Sequence, residues 1–204
     1  MIERVCVYGA SSSQLDGKYI AAVEQLGAAL AERGLGLVFG GGAQGLMGAA
    51  ARGAHSKGGF ILGVAPDFFD VDGVLFQECS EFIYTKTMRE RKQIMEDSAD
   101  AFIVTPGGFG TFEEFFEILT LKQLERHNKP IAILNVDGYY DGLLNFVDAC
   151  MEKNVIKEAC KRLYKVSDNV EEILDYIVNY NEEQLSVKNL RHVEEDLTYD
   201  ATAY

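Results

Sequence analysis

Ala101-Phe102-Ile103-Val104-Thr105-Pro106-Gly107-Gly108-Phe109-Gly110-Thr111-Phe112-Glu113-Glu114 passes from an apolar run, through a glycine-rich break, into an acidic stretch with helical character. The apolar run, closed by Pro106, reads as a buried strand, and the break supplies the tight turn of a strand-to-helix unit. The same alternation recurs on either side of it. Arg4–Tyr8, Leu35–Phe39, Phe60–Val64 and Ile131–Leu134 read as further strands, separated by amphipathic segments. Strands alternating with helices call for a parallel sheet covered on both faces, so the expected fold is α/β, a doubly wound parallel sheet in a single domain.

Tyr19, Val23, Leu26 and Leu30 form one apolar helical stripe, and Leu143, Leu144, Val147 and Met151 form another. Both are assigned to the core. A weaker strand, Leu163–Val166, precedes Ser167 and Asp168, which are placed as N-caps of a last helix running to about Tyr180. The domain is therefore drawn over residues 1–180, with 181–204 as an acidic tail that either frays or packs on a partner. Ala65–Ser80 is the longest irregular connection, the kind of loop that serves as a lid or is simply a surface excursion.

With 204 residues, 48% hydrophobic and 25% charged, the chain suits one domain with one sizeable core. A net charge of −13 argues against a protein that grips a nucleic-acid backbone, which requires clustered Lys and Arg. The four cysteines, Cys6, Cys79, Cys150 and Cys160, form no CxxC pair and no Cys/His cluster at zinc spacing. They read as reduced thiols in a cytoplasmic protein, and no metal is expected. The start of the chain carries no cleavable signal pattern, and no apolar run is long enough to span a bilayer, so no membrane partner is expected.

In open parallel sheets, ligands bind beyond the carboxyl ends of the strands, where the strand order reverses. In the commonest order the loops after the first strand and after Ala101–Val104 face each other there. These are Gly9-Ala10-Ser11-Ser12-Ser13 and Pro106–Thr111, both small-residue, donor-rich and leading into helices. Such loops present N–H groups and a positive dipole end to a phosphate, although glycines also merely permit tight turns. Ser12, Gly107, Gly108, Gly110 and Thr111 are the candidates. A third cluster, Gly40-Gly41-Gly42-Ala43-Gln44-Gly45-Leu46-Met47-Gly48, contains a GxGxxG match but follows the second strand, without the acidic residue that a dinucleotide site requires. Gly41 and Gly42 are read instead as bringing backbone close to a mononucleotide, or as allowing close helix–sheet packing.

Around Met88–Ser98 the helical period places Met88, Arg91, Ile94, Met95 and Ser98 on one face, and Arg89, Glu90, Gln93, Glu96 and Asp97 on the other. Arg91 then points inward and needs a carboxylate or a phosphate, unless it snorkels outward along its stem. Lys92, at the edge of that face, is a second candidate cation. Glu113, Glu114 and Glu117 lie where acids offset the helix dipole in any case. Glu114, three residues after Thr111, shares the face of the glycine loop, where a carboxylate beside a phosphate-anchored sugar is suited to glycosidic-bond cleavage.

Pro106-Gly107-Gly108-Phe109-Gly110-Thr111-Phe112-Glu113-Glu114 resembles the PGGxGTxxE signature of the LOG family, the cytokinin riboside 5′-monophosphate phosphoribohydrolases often labelled lysine decarboxylases. Val38–Gly42 with Gly45-Leu46-Met47-Gly48, Met88/Arg91/Lys92, and Leu134-Asn135-Val136-Asp137-Gly138-Tyr139-Tyr140 resemble further family motifs, in order, from about Val5 to about Val178. The acidic tail lies beyond the resemblance. Arg89 stands where the family usually has His; on the polar face, it is expected to tune access more than to abolish activity. The resemblance implies a Rossmann-like fold, usually a homodimer, and a nucleoside 5′-monophosphate substrate. It also implies Arg91 and Glu114 as the catalytic pair, a 5′-phosphate held by Gly107, Gly108, Gly110 and Thr111, water as acceptor, and no cofactor. Three other readings compete with this one. One is a general AMP or purine nucleotide nucleosidase, and a second is a non-catalytic nucleotide or molybdenum-cofactor carrier of the same fold. The third, a pyridoxal-phosphate decarboxylase, lacks a Lys with a clear claim to the aldimine role.

Overall fold

The computed structural model describes residues 2–181 and Leu190. Seven parallel strands form one sheet in the order β4-β3-β2-β1-β5-β6-β7. They are β1 (Arg4–Tyr8), β2 (Gly36–Phe39), β3 (Ile61–Pro66), β4 (Glu81–Thr85), β5 (Ala101–Val104), β6 (Ile131–Leu134) and β7 (Lys165–Ser167). The inner strands are apolar at consecutive positions because both of their faces are covered. Val5, Val7, Leu37, Phe39, Ala101 and Ile103 pack on one side, beneath α1 (Gly17–Glu32), α2 (Gly45–Ser56) and α6 (Val170–Val178). Cys6, Tyr8, Val38, Phe102 and Val104 pack on the other, against α3 (Met88–Asp97), α4 (Phe109–Gln123) and α5 (Asp141–Glu152). The chain has the expected doubly wound, Rossmann-like α/β architecture.

Several sequence expectations need correction. β4 was not foreseen: its Glu81, Phe82, Ile83, Tyr84 and Thr85 form an edge strand that is mostly half-buried or exposed, so its apolar signal is weak. The strand that faces β1 across the reversal is therefore the fifth, not the fourth. Leu163 belongs to a 3₁₀ segment, Glu158–Leu163, and β7 begins two residues later. The cap of α6 is Asn169, whose side chain accepts from Glu171 N and Glu172 N, and the helix ends at Val178. The stripe Leu143, Leu144, Val147 and Met151 is only half-buried: α5 has no fully buried residue, Leu143 and Leu144 pack on the edge of the core, Met151 packs beside Cys160 and Leu163, and all four line an apolar groove with Phe116 and Leu119 of α4. The acidic tail expected over residues 181–204 falls mostly outside the described residues. Leu190 is buried against Cys160 and Leu163, and its carbonyl accepts from Gln123 Nε2 at 2.9 Å. No described helix is long and apolar enough to cross a membrane.

Candidate functional site

The order reverses between β2-β1 and β5-β6, and the loops that leave β1 and β5 touch there: Ala10 N donates to Pro106 O at 3.0 Å. Above them opens a cavity of about 620 Å³, lined on this side by Ser11, Ser12, Gly108, Gly110 and Thr111.

The start of α4 forms one wall. Its N-cap is Gly108, no side chain caps it, and the first helical bond runs from Phe112 N to Gly108 O at 2.9 Å. The N–H groups of Phe109, Gly110 and Thr111 thus precede the helical ladder, with the positive end of the dipole behind them. A Cβ at Gly108 or Gly110 would meet no atom within 4 Å, so the absent side chains leave open space for a ligand. Thr111 is buried against Gly107, which fixes the turn rather than lining the cavity.

The opposite wall is supplied by α3. Thr87 caps this helix by accepting from Glu90 N at 3.1 Å, while Glu90 Oε2 accepts from Lys86 N at 2.8 Å, a variant of the capping box. That start fixes the helical register, so Arg91, one turn in, faces the sheet. Its Nε donates to Val64 O at 3.1 Å and its Nη1 to Glu114 Oε1 at 2.9 Å. Both residues are nearly inaccessible, Arg91 at 7% exposure and Glu114 at 8%, yet both line the cavity. Burial pushes the Glu114 carboxyl above the ordinary glutamate range, and the neighbouring Arg91 offsets part of that rise. A desolvated carboxylate paired with a guanidinium beside an anion-binding helix end can hold a phosphorylated sugar and stabilise positive charge at its anomeric carbon.

The site explains Gly40. A Cβ there would lie 1.8 Å from Arg91 Nη2, so the guanidinium occupies the space that any side chain would fill. Gly41 O accepts from Phe76 N and Ala43 N donates to Val74 O, both at 2.9 Å. These bonds pin the connection after β3 along the glycine cluster. Phe69, Val74 and Leu75 then join Met47 and Met88 as an apolar wall, which the sequence reading did not identify. The sequence signals for the part after β3 were the length of the Ala65–Ser80 connection and its aromatics.

Of the sequence candidates, Ser12, Gly42, Met88, Arg91, Gly108, Gly110, Thr111 and Glu114 converge on this cavity. Gly41, Lys92 and Gly107 do not line it. Lys92 is turned to Glu113 and Glu117, a triad that ties α3 to α4. Arg89 is exposed, as its place on the polar face required.

A family model described as "Possible lysine decarboxylase" matches residues 47–177. A cytokinin riboside 5′-monophosphate phosphoribohydrolase of Arabidopsis thaliana is 39% identical over 177 residues, covering 87% of this chain and 83% of the relative. The chain belongs to the LOG family. Another member, the cytokinin riboside 5′-monophosphate phosphoribohydrolase LOG of Oryza sativa subsp. japonica, is 38% identical over 181 residues, covering 87% of this chain and 75% of the relative. Among solved structures, the LOG fold of this chain is shared by the molybdenum cofactor binding protein of Rippkaea orientalis. That likeness has a TM-score of 0.68 at 23% identity and covers 87% of this chain and 96% of the other. The molybdenum cofactor carrier protein of Chlamydomonas reinhardtii gives 0.66 at 22% identity, covering 87% and 97%. Identities this low speak for the fold alone.

Proposed function

We propose that this chain is a phosphoribohydrolase that cleaves the N-glycosidic bond of nucleoside 5′-monophosphates, either cytokinin riboside 5′-monophosphates or AMP. The observation that carries the reading is the uncapped N-terminus of α4 opening into the same cavity as the buried Arg91–Glu114 pair. The 5′-phosphate sits at the amides of residues 109–111, which directs the ribose toward Glu114. As the bond to the base breaks, the carboxylate stabilises the oxocarbenium-like sugar; water then adds its OH at the anomeric carbon and loses a proton, which balances the one taken up by the departing base. The products are free base and ribose 5-phosphate. The apolar wall of Met47, Phe69, Val74 and Leu75 faces the base. No lysine is among the described residues lining the cavity, which favours this reading over a lysine-linked decarboxylase.

The phosphate contributes binding energy that positions the glycosidic bond, so its removal lowers kcat/KM as well as affinity. AMP and isopentenyladenosine monophosphate are expected to release free base, with adenosine cleaved about 10³-fold less efficiently. The assay follows free base and ribose 5-phosphate by chromatography. Equal turnover of adenosine and AMP removes the phosphate subsite from the reading.

The working form is a cytoplasmic homodimer, in keeping with the family resemblance and four free cysteines. The half-exposed α4–α5 face, with Phe116, Phe146 and Val147, is the surface a second copy covers. Light scattering at micromolar concentration should give a dimer that Phe146→Glu dissociates. A wild-type monomer rejects the assignment.

A further inference from the structure

The LNVDGYY segment, which starts on the last residue of β6, has no part in the site described above, yet its two tyrosines reach the glycine loop. Four successive carbonyls leave β5 along that loop, and each is held by a donor. Thr105 O accepts from Tyr140 Oη at 2.7 Å, Pro106 O from Ala10 N at 3.0 Å, Gly107 O from Tyr139 Oη at 2.7 Å, and Gly108 O from Phe112 N at 2.9 Å. With these four carbonyls engaged elsewhere, the uncapped N–H groups at the start of α4 are left for an anion.

The corner that delivers the tyrosines is built for the purpose. Asp137 and Gly138 adopt successive left-handed conformations, at φ 52° and 68°. Asn135 closes the turn, accepting from Tyr140 N at 2.7 Å and donating to Asp141 Oδ1 at 2.8 Å. Tyr140 is buried, whereas Tyr139 is 41% exposed and braced edge-on by Tyr19 at 5.7 Å between ring centroids. A half-exposed tyrosine whose hydroxyl is spent on one loop carbonyl contributes little to the core.

We propose that Tyr139 is a positioning residue for the phosphate subsite: its hydroxyl prevents the Gly107–Gly108 peptide from turning its carbonyl toward the bound anion. Neither glycine carries a side chain to resist that rotation. Once turned, the peptide brings a carbonyl oxygen, which repels phosphate, toward the amides of residues 109–111. The inference rests on the phosphoribohydrolase reading, and the test separates the two.

Tyr139→Phe keeps the ring and its contact with Tyr19 and removes only the hydroxyl. In the full-length protein, inhibition by ribose 5-phosphate and KM for AMP are expected to weaken about 10-fold, with kcat within about threefold of wild type. The melting temperature and the slow cleavage of adenosine, which does not use the phosphate subsite, should be unchanged. A purely structural role would instead lower the melting temperature and affect both substrates alike, and that result overturns the proposal. So does unaltered affinity for ribose 5-phosphate in the variant when the wild type binds it normally. A wild-type protein that neither binds ribose 5-phosphate nor cleaves AMP overturns the underlying functional reading as well.

Discussion

Glu114→Gln is expected to lower kcat for nucleotide cleavage by about 10²- to 10⁴-fold while leaving nucleotide affinity within about threefold of wild type. Gln keeps the shape of the side chain and an oxygen that can accept from Arg91 Nη1, the bond seen at 2.9 Å. It removes the negative charge, whose attraction to the sugar grows as the glycosidic bond breaks. Loss confined to kcat is the mark of an interaction made chiefly in the transition state. The matched control is Glu113→Gln, because that neighbouring carboxylate is exposed and paired with Lys92 at the rim of the same cavity. It should stay within about threefold of wild type. If the two variants are equally damaged, the assignment of the carboxylate is wrong.

The buried carboxyl also sets the pH dependence. Its folded-state pKa is raised by burial, so the acid limb of kcat/KM should lie above the value of about 4.3 typical of an exposed glutamate. Linkage gives the accompanying stability term its sign. A folded carboxyl that holds its proton more tightly than the unfolded chain does favours the fold at low pH. That contribution is lost as pH rises through the raised folded value, so the ionised form needed for catalysis is the one that costs stability. Glu114→Gln should abolish both the acid limb and this part of the stability profile.

The alternation of strands and helices was legible because the inner strands are buried on both faces and therefore carry unbroken apolar runs, Val5–Tyr8 and Ala101–Val104 among them. β4 was not, since an edge strand with Glu81 and Tyr84 exposed lacks that signature. The inward turn of Arg91 followed from helical period alone, because a ten-residue helix with a firm cap has little freedom of register. Lys92 could not be placed in the same way. At the edge of the face, its choice between phosphate and carboxylate depended on how α3 packs on α4, a tertiary fact. The apolar stripe of α5 was read as core and is only half-buried, because periodicity shows which side of a helix is apolar but not how completely it is covered. Gly40 was visible as part of a glycine cluster, yet its reason lies 51 positions away in Arg91 and could be read only from their contact.

That contact gives the second large effect. Arg91→Ala strips a buried carboxylate of its ion pair and leaves Val64 O without its donor, so a loss of about 3–5 kcal/mol in stability is expected, with nucleotide affinity and turnover both reduced. Gly40→Ala should reproduce much of this with every charged residue left in place. Its methyl would lie 1.8 Å from Arg91 Nη2, so the guanidinium must withdraw, lengthening its bonds to Val64 O or Glu114. The neighbouring Met47 Sδ, 3.0 Å from the same Cβ, can shift at small cost because its side chain is flexible. We expect kcat/KM for AMP to fall about 10²-fold in Gly40→Ala. The decisive comparison is the double variant. If the methyl acts by displacing Arg91, it has nothing left to displace once that side chain is gone, so Gly40→Ala should add almost nothing in the Arg91→Ala background. The two single losses would then be strongly non-additive in both activity and chemical denaturation. Losses that simply sum would show that Gly40 serves the backbone or the ligand directly, and that the glycine at this position is not there to admit the arginine.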